Sequence, residues 1–148
     1  MTDRGMEQRK KILVVDDEPY VVIYLETLLQ DNGFDTVSAS NGKEGMEKVK
    51  ADRPDLVCLD ITMPEESGVR LYRDLKEDPS LRSIPVIIVT GVTGYGGDPQ
   101  GLKNFLSTRR QFPPPEAFFS KPIDRPEFLA AVRRLLGLEP AKGTPIPG

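Results

Sequence analysis

The chain contains no histidine among its 148 residues, so imidazole is unavailable as a general base, a metal ligand or a phosphate carrier. Its single cysteine, Cys58, excludes an intramolecular disulfide and a thiolate zinc cluster. Long apolar runs are missing as well. The longest, such as Tyr20 to Leu25 and Val86 to Val89, fall far short of the ~20 residues that cross a bilayer, so no membrane span is expected. Positive charge is not in excess: 20 Lys and Arg face 23 Asp and Glu, a net charge of −3. A general nucleic-acid binder needs a basic surface to displace counterions, and none is provided. The opening Met1 to Lys11 is polar and lacks the apolar centre of a signal peptide.

The composition that remains, 38% apolar and 29% charged, suits a globular domain, and the length allows one core rather than two. Residues 1–10 are expected to form a flexible lead-in, 11–137 the domain and 138–148 a disordered tail. Proline and glycine gather in that tail and in Gly91 to Pro115, where helices cannot readily continue. Ile12 to Val15, Leu56 to Leu59 and Val86 to Val89 are short apolar runs without polar alternation, the signature of parallel strands buried on both faces. Phe34 to Ala39 and Ala117 to Phe119 are weaker strand candidates. Helical patterns follow each run. Pro19 opens the first, which carries Val22, Leu25, Leu28 and Leu29 to a stop at Gly33. Met46 and Val49 mark a second, and Val69, Tyr72 and Leu75 a third opened by Ser67 and Gly68. Phe128, Leu129, Val132, Leu135 and Leu136 form another, ended by Gly137. A further helix is expected between Pro99 and Arg110.

Strands alternating with helices predict an α/β domain with a doubly wound parallel sheet and helices on both faces. In such sheets a ligand site lies at the carboxyl ends of the strands. Asp16, Asp17 and Glu18 follow the first run, Asp60 the third, Thr90 the fourth, and Lys121 with Pro122 the fifth. The sheet therefore gathers three carboxylates, a hydroxyl and an ammonium from four segments. Crowded carboxylates repel unless a cation intervenes, and an oxygen-only donor set favours a hard divalent ion, with magnesium the natural candidate. Magnesium and Lys121 can neutralise the oxygens of a phosphoryl group, Thr90 can hydrogen-bond to it, and Asp60 can attack phosphorus to give an acyl phosphate. Taken alone, Asp16 and Asp17 could equally cap a helix, and Lys121 could be an ordinary solvated lysine. Only their joint placement argues otherwise.

Val14-Val15-Asp16-Asp17-Glu18-Pro19, Leu59-Asp60-Ile61-Thr62-Met63-Pro64 with Gly68, Val89-Thr90-Gly91 and Phe119-Ser120-Lys121-Pro122 together closely resemble the receiver domain of two-component response regulators. The resemblance spans roughly Lys11 to Gly137. It implies a five-stranded sheet in the flavodoxin-like order 2-1-3-4-5. It also implies that Asp60 takes its phosphoryl group from a sensor histidine kinase or a histidine phosphotransfer protein, in the cytoplasm. Asp17, Asp60 and the Thr62 carbonyl would bind magnesium directly, with Asp16 acting mostly through water. Thr90 and Phe118 would form the switch: Thr90 is drawn toward the phosphoryl group and the aromatic ring fills the space it leaves. Relatives often carry tyrosine where this chain has Phe118, which has no hydroxyl to offer outward.

The chain departs from the pattern in the 31 positions between Thr90 and Lys121, longer than in compact receivers. A remodelled signalling face is expected there. Thr62 and Val92 occupy positions that tune phosphoaspartate lifetime in relatives, and neither offers an acid or amide to orient attacking water. The eleven residues after Gly137 are too few for a DNA-binding module, so output is expected through protein contacts. The chain would act as a stand-alone regulator or relay intermediate, unless the tail opens a linker. Two rivals stand beside this reading: a degenerate receiver that signals without phosphate, and a magnesium-dependent aspartyl-phosphate phosphohydrolase. The second usually needs an acid two positions after the nucleophile, where Thr62 stands. Cys58, inside an apolar run, is expected to be a buried small hydrophobe.

Overall fold

Branched apolar side chains fit a pleated surface covered on both sides, and the three central runs meet that demand. The computed structural model describes residues 9–63, 67–91 and 115–138, with Thr90 described in its backbone alone. In chain order the elements are β1 (Lys11–Val15), α1 (Pro19–Asp31), β2 (Asp35–Ala39), α2 (Gly42–Asp52), β3 (Leu56–Leu59), α3 (Ser67–Glu77), β4 (Val86–Gly91), β5 (Ala117–Lys121) and α4 (Arg125–Leu135). The five strands pair in the order β2-β1-β3-β4-β5, and every pairing is parallel. That is the doubly wound sheet the sequence predicts. The expected helix over 99–110 and the long connection around it lie outside the described residues, as do 1–8, 64–66, Val92 and the tail from 139.

Alternation along each strand divides the core in two. Leu13, Val15, Val57, Leu59, Val86 and Ile88 face α2 and α3, where Val49, Leu71, Tyr72 and Leu75 are buried. Ile12, Val14, Leu56, Cys58, Ile87 and Val89 face α1 and α4, where Leu25, Leu29, Phe128 and Val132 close the layer. Deleting one such Leu or Ile side chain to Ala costs about 2–5 kcal/mol. Helix ends are specified locally. Pro19 begins α1, and Gly33 past its end takes φ +95°, a conformation glycine adopts without penalty. Asn41 caps α2 by accepting the Glu44 N–H at 2.8 Å, while the Glu44 carboxylate accepts the Ser40 N–H at 2.8 Å. Asp124 caps α4 by accepting the Glu127 N–H at 3.0 Å.

Two differences from the sequence reading concern strand ends. β4 continues to Gly91 and β5 to Lys121, because Thr90 pairs with Ser120 and Gly91 with Lys121. Thr90 and Lys121 therefore belong to the sheet instead of following it. The other surprise is Lys76, buried at 4% exposure. Its ammonium donates to the carbonyls of Arg82 and Ile84 and pairs with Glu116 at 3.4 Å. A buried charge needs such partners.

Candidate functional site

The carboxyl edge of the sheet is assembled by backbone hydrogen bonds that run past the strands. The Asp16 N–H donates to the Ala39 carbonyl at 3.1 Å, and the Asp60 N–H to the Val15 carbonyl at 3.0 Å. Each aspartate is thus one residue beyond a paired strand and cannot drift from its neighbour. Behind Asp60 the fit is closer still. A Cβ on Gly68 would collide with the Asp60 carbonyl oxygen, and one on Gly42 with the Ser67 carbonyl oxygen. The N-termini of α2 and α3 and the end of β3 therefore meet backbone to backbone, and the Ser67 hydroxyl accepts the Gly42 N–H at 3.1 Å.

Asp16, Asp17 and Asp60 place carboxylate oxygens within 4.8 Å of one another. Asp16 and Asp60 are buried, at 2% and 3% exposure, whereas Asp17 is exposed. The Lys121 ammonium donates to Asp16 Oδ2 at 2.9 Å and stands 3.6 Å from Asp60 Oδ2. Asp16 Oδ1 accepts the Glu18 N–H at 2.9 Å. Asp60 Oδ1 accepts both the Thr62 N–H at 2.8 Å and the Thr62 hydroxyl at 2.6 Å. The peptide bond joining Lys121 to Pro122 is cis.

These surroundings pull in opposite directions. Burial raises the Asp16 carboxyl above its ordinary value, and the bonds from Lys121 and Glu18 do not fully offset it. For Lys121 burial works to weaken the charge, yet the Asp16 hydrogen bond and the charges of Asp60, Asp16 and Glu18 outweigh it and raise its pKa. Three carboxylates with one ammonium leave negative charge in excess at a buried edge. Together with the all-oxygen donor set, that is the environment a hard divalent cation fits.

The strand-end logic therefore names groups that the structure brings together: Asp16, Asp17, Asp60 and Lys121. Thr90 lies in β4 with its side chain outside the described residues. Phe118 sits half-buried against the core layer under α2 and α3, while its neighbour Phe119 packs edge-on against Phe128 with ring centroids 5.6 Å apart. The sequence reading gave Thr62 a magnesium-binding carbonyl and a position that tunes phosphoaspartate lifetime in relatives, and missed its hydroxyl bond to Asp60. It also gave Ser67 the role of helix opener alone. Beside Lys121, a cleft of about 380 Å³ is lined by Tyr20, Val21, Tyr24, Leu25, Pro122 and Ile123, among others. Tyr20, Ile23 and Tyr24 on α1 are large hydrophobics exposed at 86%, 60% and 45%.

A doubly wound parallel sheet that gathers acidic side chains opposite a lysine at its carboxyl edge defines a class of signalling domains. The family model of the response regulator receiver domain matches residues 12–104. The chain belongs to that family and is a receiver domain of two-component signalling. The polar-differentiation response regulator DivK of Brucella anthropi is 33% identical over 128 residues, covering 86% of this chain and 97% of DivK. Among solved structures, the receiver domain of a signal transduction histidine kinase from Syntrophus aciditrophicus is 31% identical with a TM-score of 0.72. That match covers 94% of this chain and 99% of the other. A CheY-like receiver domain protein from Methanospirillum hungatei, at 22% identity and a TM-score of 0.71, shares the fold over 88% of this chain and 95% of its own. Among the described residues no helix is long and apolar enough to cross a membrane.

Proposed function

We propose that this receiver is a magnesium-dependent phosphoacceptor whose acceptor is Asp60. The observation that carries the reading is the packing of Asp16, Asp17 and Asp60 within 4.8 Å against a single ammonium that touches two of them. Asp17, Asp60 and the Thr62 carbonyl would hold magnesium directly, with Asp16 acting through water. Bound there, the ion would neutralise phosphoryl oxygens. An Asp60 carboxylate oxygen attacks phosphorus as the bond from phosphorus to the donor's imidazole nitrogen breaks. The electron pair returns to that nitrogen, and the product is an acyl phosphate on Asp60. Lys121 is already aimed at Asp60 Oδ2 and moves toward the dianionic group that replaces the free carboxylate. Thr90 is assigned the switch hydroxyl by its place in the motif, and Phe118 the ring that follows it.

The donor in this reading is a sensor histidine kinase or a histidine phosphotransfer protein of the cytoplasm. The exposed Tyr20 and Tyr24, which line the cleft beside Lys121, support a macromolecular donor over a small phosphate ester, since a patch of this kind marks a docking face. Output would follow through protein contacts. The test is incubation of the whole chain with magnesium and a small acyl phosphate, followed by intact mass measurement. Wild type should gain one phosphoryl group and Asp60→Asn none. A wild-type chain that gains nothing under any magnesium condition would instead be a receiver that signals without phosphate. Repeated turnover of a small phosphate ester would return the phosphohydrolase reading.

A further inference from the structure

We propose that the Thr62 hydroxyl is a latch on the acceptor: it occupies Asp60 Oδ1 in the resting chain and has to let go before the carboxylate can be loaded. The inference rests on the reading of Asp60 as the phosphoacceptor and deepens it. An ionised carboxylate only accepts hydrogen bonds, with about two lone-pair positions on each oxygen. Thr62 fills both positions of Oδ1, one with its N–H at 2.8 Å and one with its hydroxyl at 2.6 Å. The second distance lies in the range of charge-assisted O–H···O bonds, the stronger kind. Oδ2 meanwhile faces Lys121 at 3.6 Å, and Asp60 is buried, at 3% exposure.

Loading the carboxylate requires both oxygens, one for the cation shared with Asp16 and Asp17 and one for phosphorus. The two Thr62 donors differ in how easily they leave. The N–H is fixed by the backbone turn after β3, whereas the hydroxyl swings away by a change of the χ1 rotamer. A cation approaching Oδ1 therefore competes with one rotatable O–H. Thr62 is in this account a positioning residue whose hydroxyl weakens the resting site for magnesium and holds the carboxylate in one orientation until the ion arrives.

Thr62→Val retains the branched shape, the N–H and the carbonyl but removes the hydroxyl, and Thr62→Ser restores it. Magnesium affinity of the whole chain is measured by titration calorimetry without any phosphoryl donor, beside the thermal midpoint of each variant. Loss of a hydrogen bond to a charged group predicts about ten-fold tighter magnesium binding for Thr62→Val, with Thr62→Ser like wild type. Thr62→Ala replaces the valine variant if that one does not fold. Equal or weaker binding by the hydroxyl-free variants, while wild type binds magnesium and takes a phosphoryl group on Asp60, overturns the latch and leaves the acceptor reading intact. A wild-type chain that binds no magnesium and takes no phosphoryl group overturns both.

Discussion

Asp16 and Glu44 are carboxylates a few residues from strand ends, and their surroundings shift them in opposite directions. Burial dominates at Asp16 and raises it above 3.8. At Glu44, only partly covered, the bonds from the Ser40 N–H and hydroxyl lower it below 4.5. The signs matter for stability. Folded Asp16 holds its proton more tightly than the unfolded chain, so its contribution to stability is complete below 3.8 and is lost as pH rises through its folded value. The Glu44 contribution is present above 4.5 and is lost as pH falls through its folded value. Carboxyl-detected NMR titration of the metal-free protein should place the Asp16 midpoint above 3.8 and that of Glu44 below 4.5. An Asp16 midpoint at or below 3.8 would contradict the buried, crowded edge. Cys58, as its sequence context predicts, is fully buried, with its thiol pushed up to about 12 by that burial. The Thr62 hydroxyl contact and the burial of Lys76 were not legible at this scale. Both depend on a side-chain torsion or on partners some 2 to 40 positions away, and neither leaves a periodic trace.

Among elements, the decisive contacts are backbone against backbone. Gly68 lets the start of α3 touch the Asp60 carbonyl, and Gly42 lets α2 touch Ser67. Gly68→Ala forces the end of β3 to shift. An overpacked site of this kind costs about 1–3 kcal/mol, readable by chemical denaturation, and phosphorylation by a small acyl phosphate should slow as Asp60 is displaced. Unchanged stability and rate would show that the contact yields without consequence. On the opposite layer, α1 turns Tyr20 and Tyr24 outward beside Lys121. Replacing both with Ala should slow transfer from a histidine kinase that phosphorylates wild type by at least about ten-fold, since buried aromatic anchors carry about 2 kcal/mol or more at interfaces. The rate with a small acyl phosphate should stay the same. Equal loss with both donors would place the defect in the site instead of the docking face. The helices and strands themselves were readable from apolar period, proline starts and glycine stops. Their ends were less so: β4 and β5 run on to Gly91 and Lys121 because neighbouring strands pair there, which no single segment reveals.

At the scale of the whole molecule, the fold converts distance along the chain into crowding of charge. Asp16 and Lys121 are 105 positions apart and 2.9 Å from each other. β3 and β4 stand between β1 and β5, so what the sequence made legible was convergence on one carboxyl edge of the sheet; the direct contact of Lys121 with Asp16 across that edge was not. Excess negative charge at a buried edge should also make the fold respond to a cation. At magnesium ten times its dissociation constant the folded state gains about 1.4 kcal/mol, a rise of about 3–6 °C in Tm for a domain of this size. The rise should disappear with a chelator and shrink in Asp17→Asn. The most direct test of the account traps the acyl phosphate itself. Borohydride reduction after reaction with a phosphoryl donor converts a phosphorylated aspartate to homoserine, which peptide mass mapping locates. The account predicts homoserine at position 60 alone, in the presence of magnesium and not in its absence. Homoserine at position 16 or 17, or at none in a chain that has demonstrably folded and bound magnesium, would contradict it.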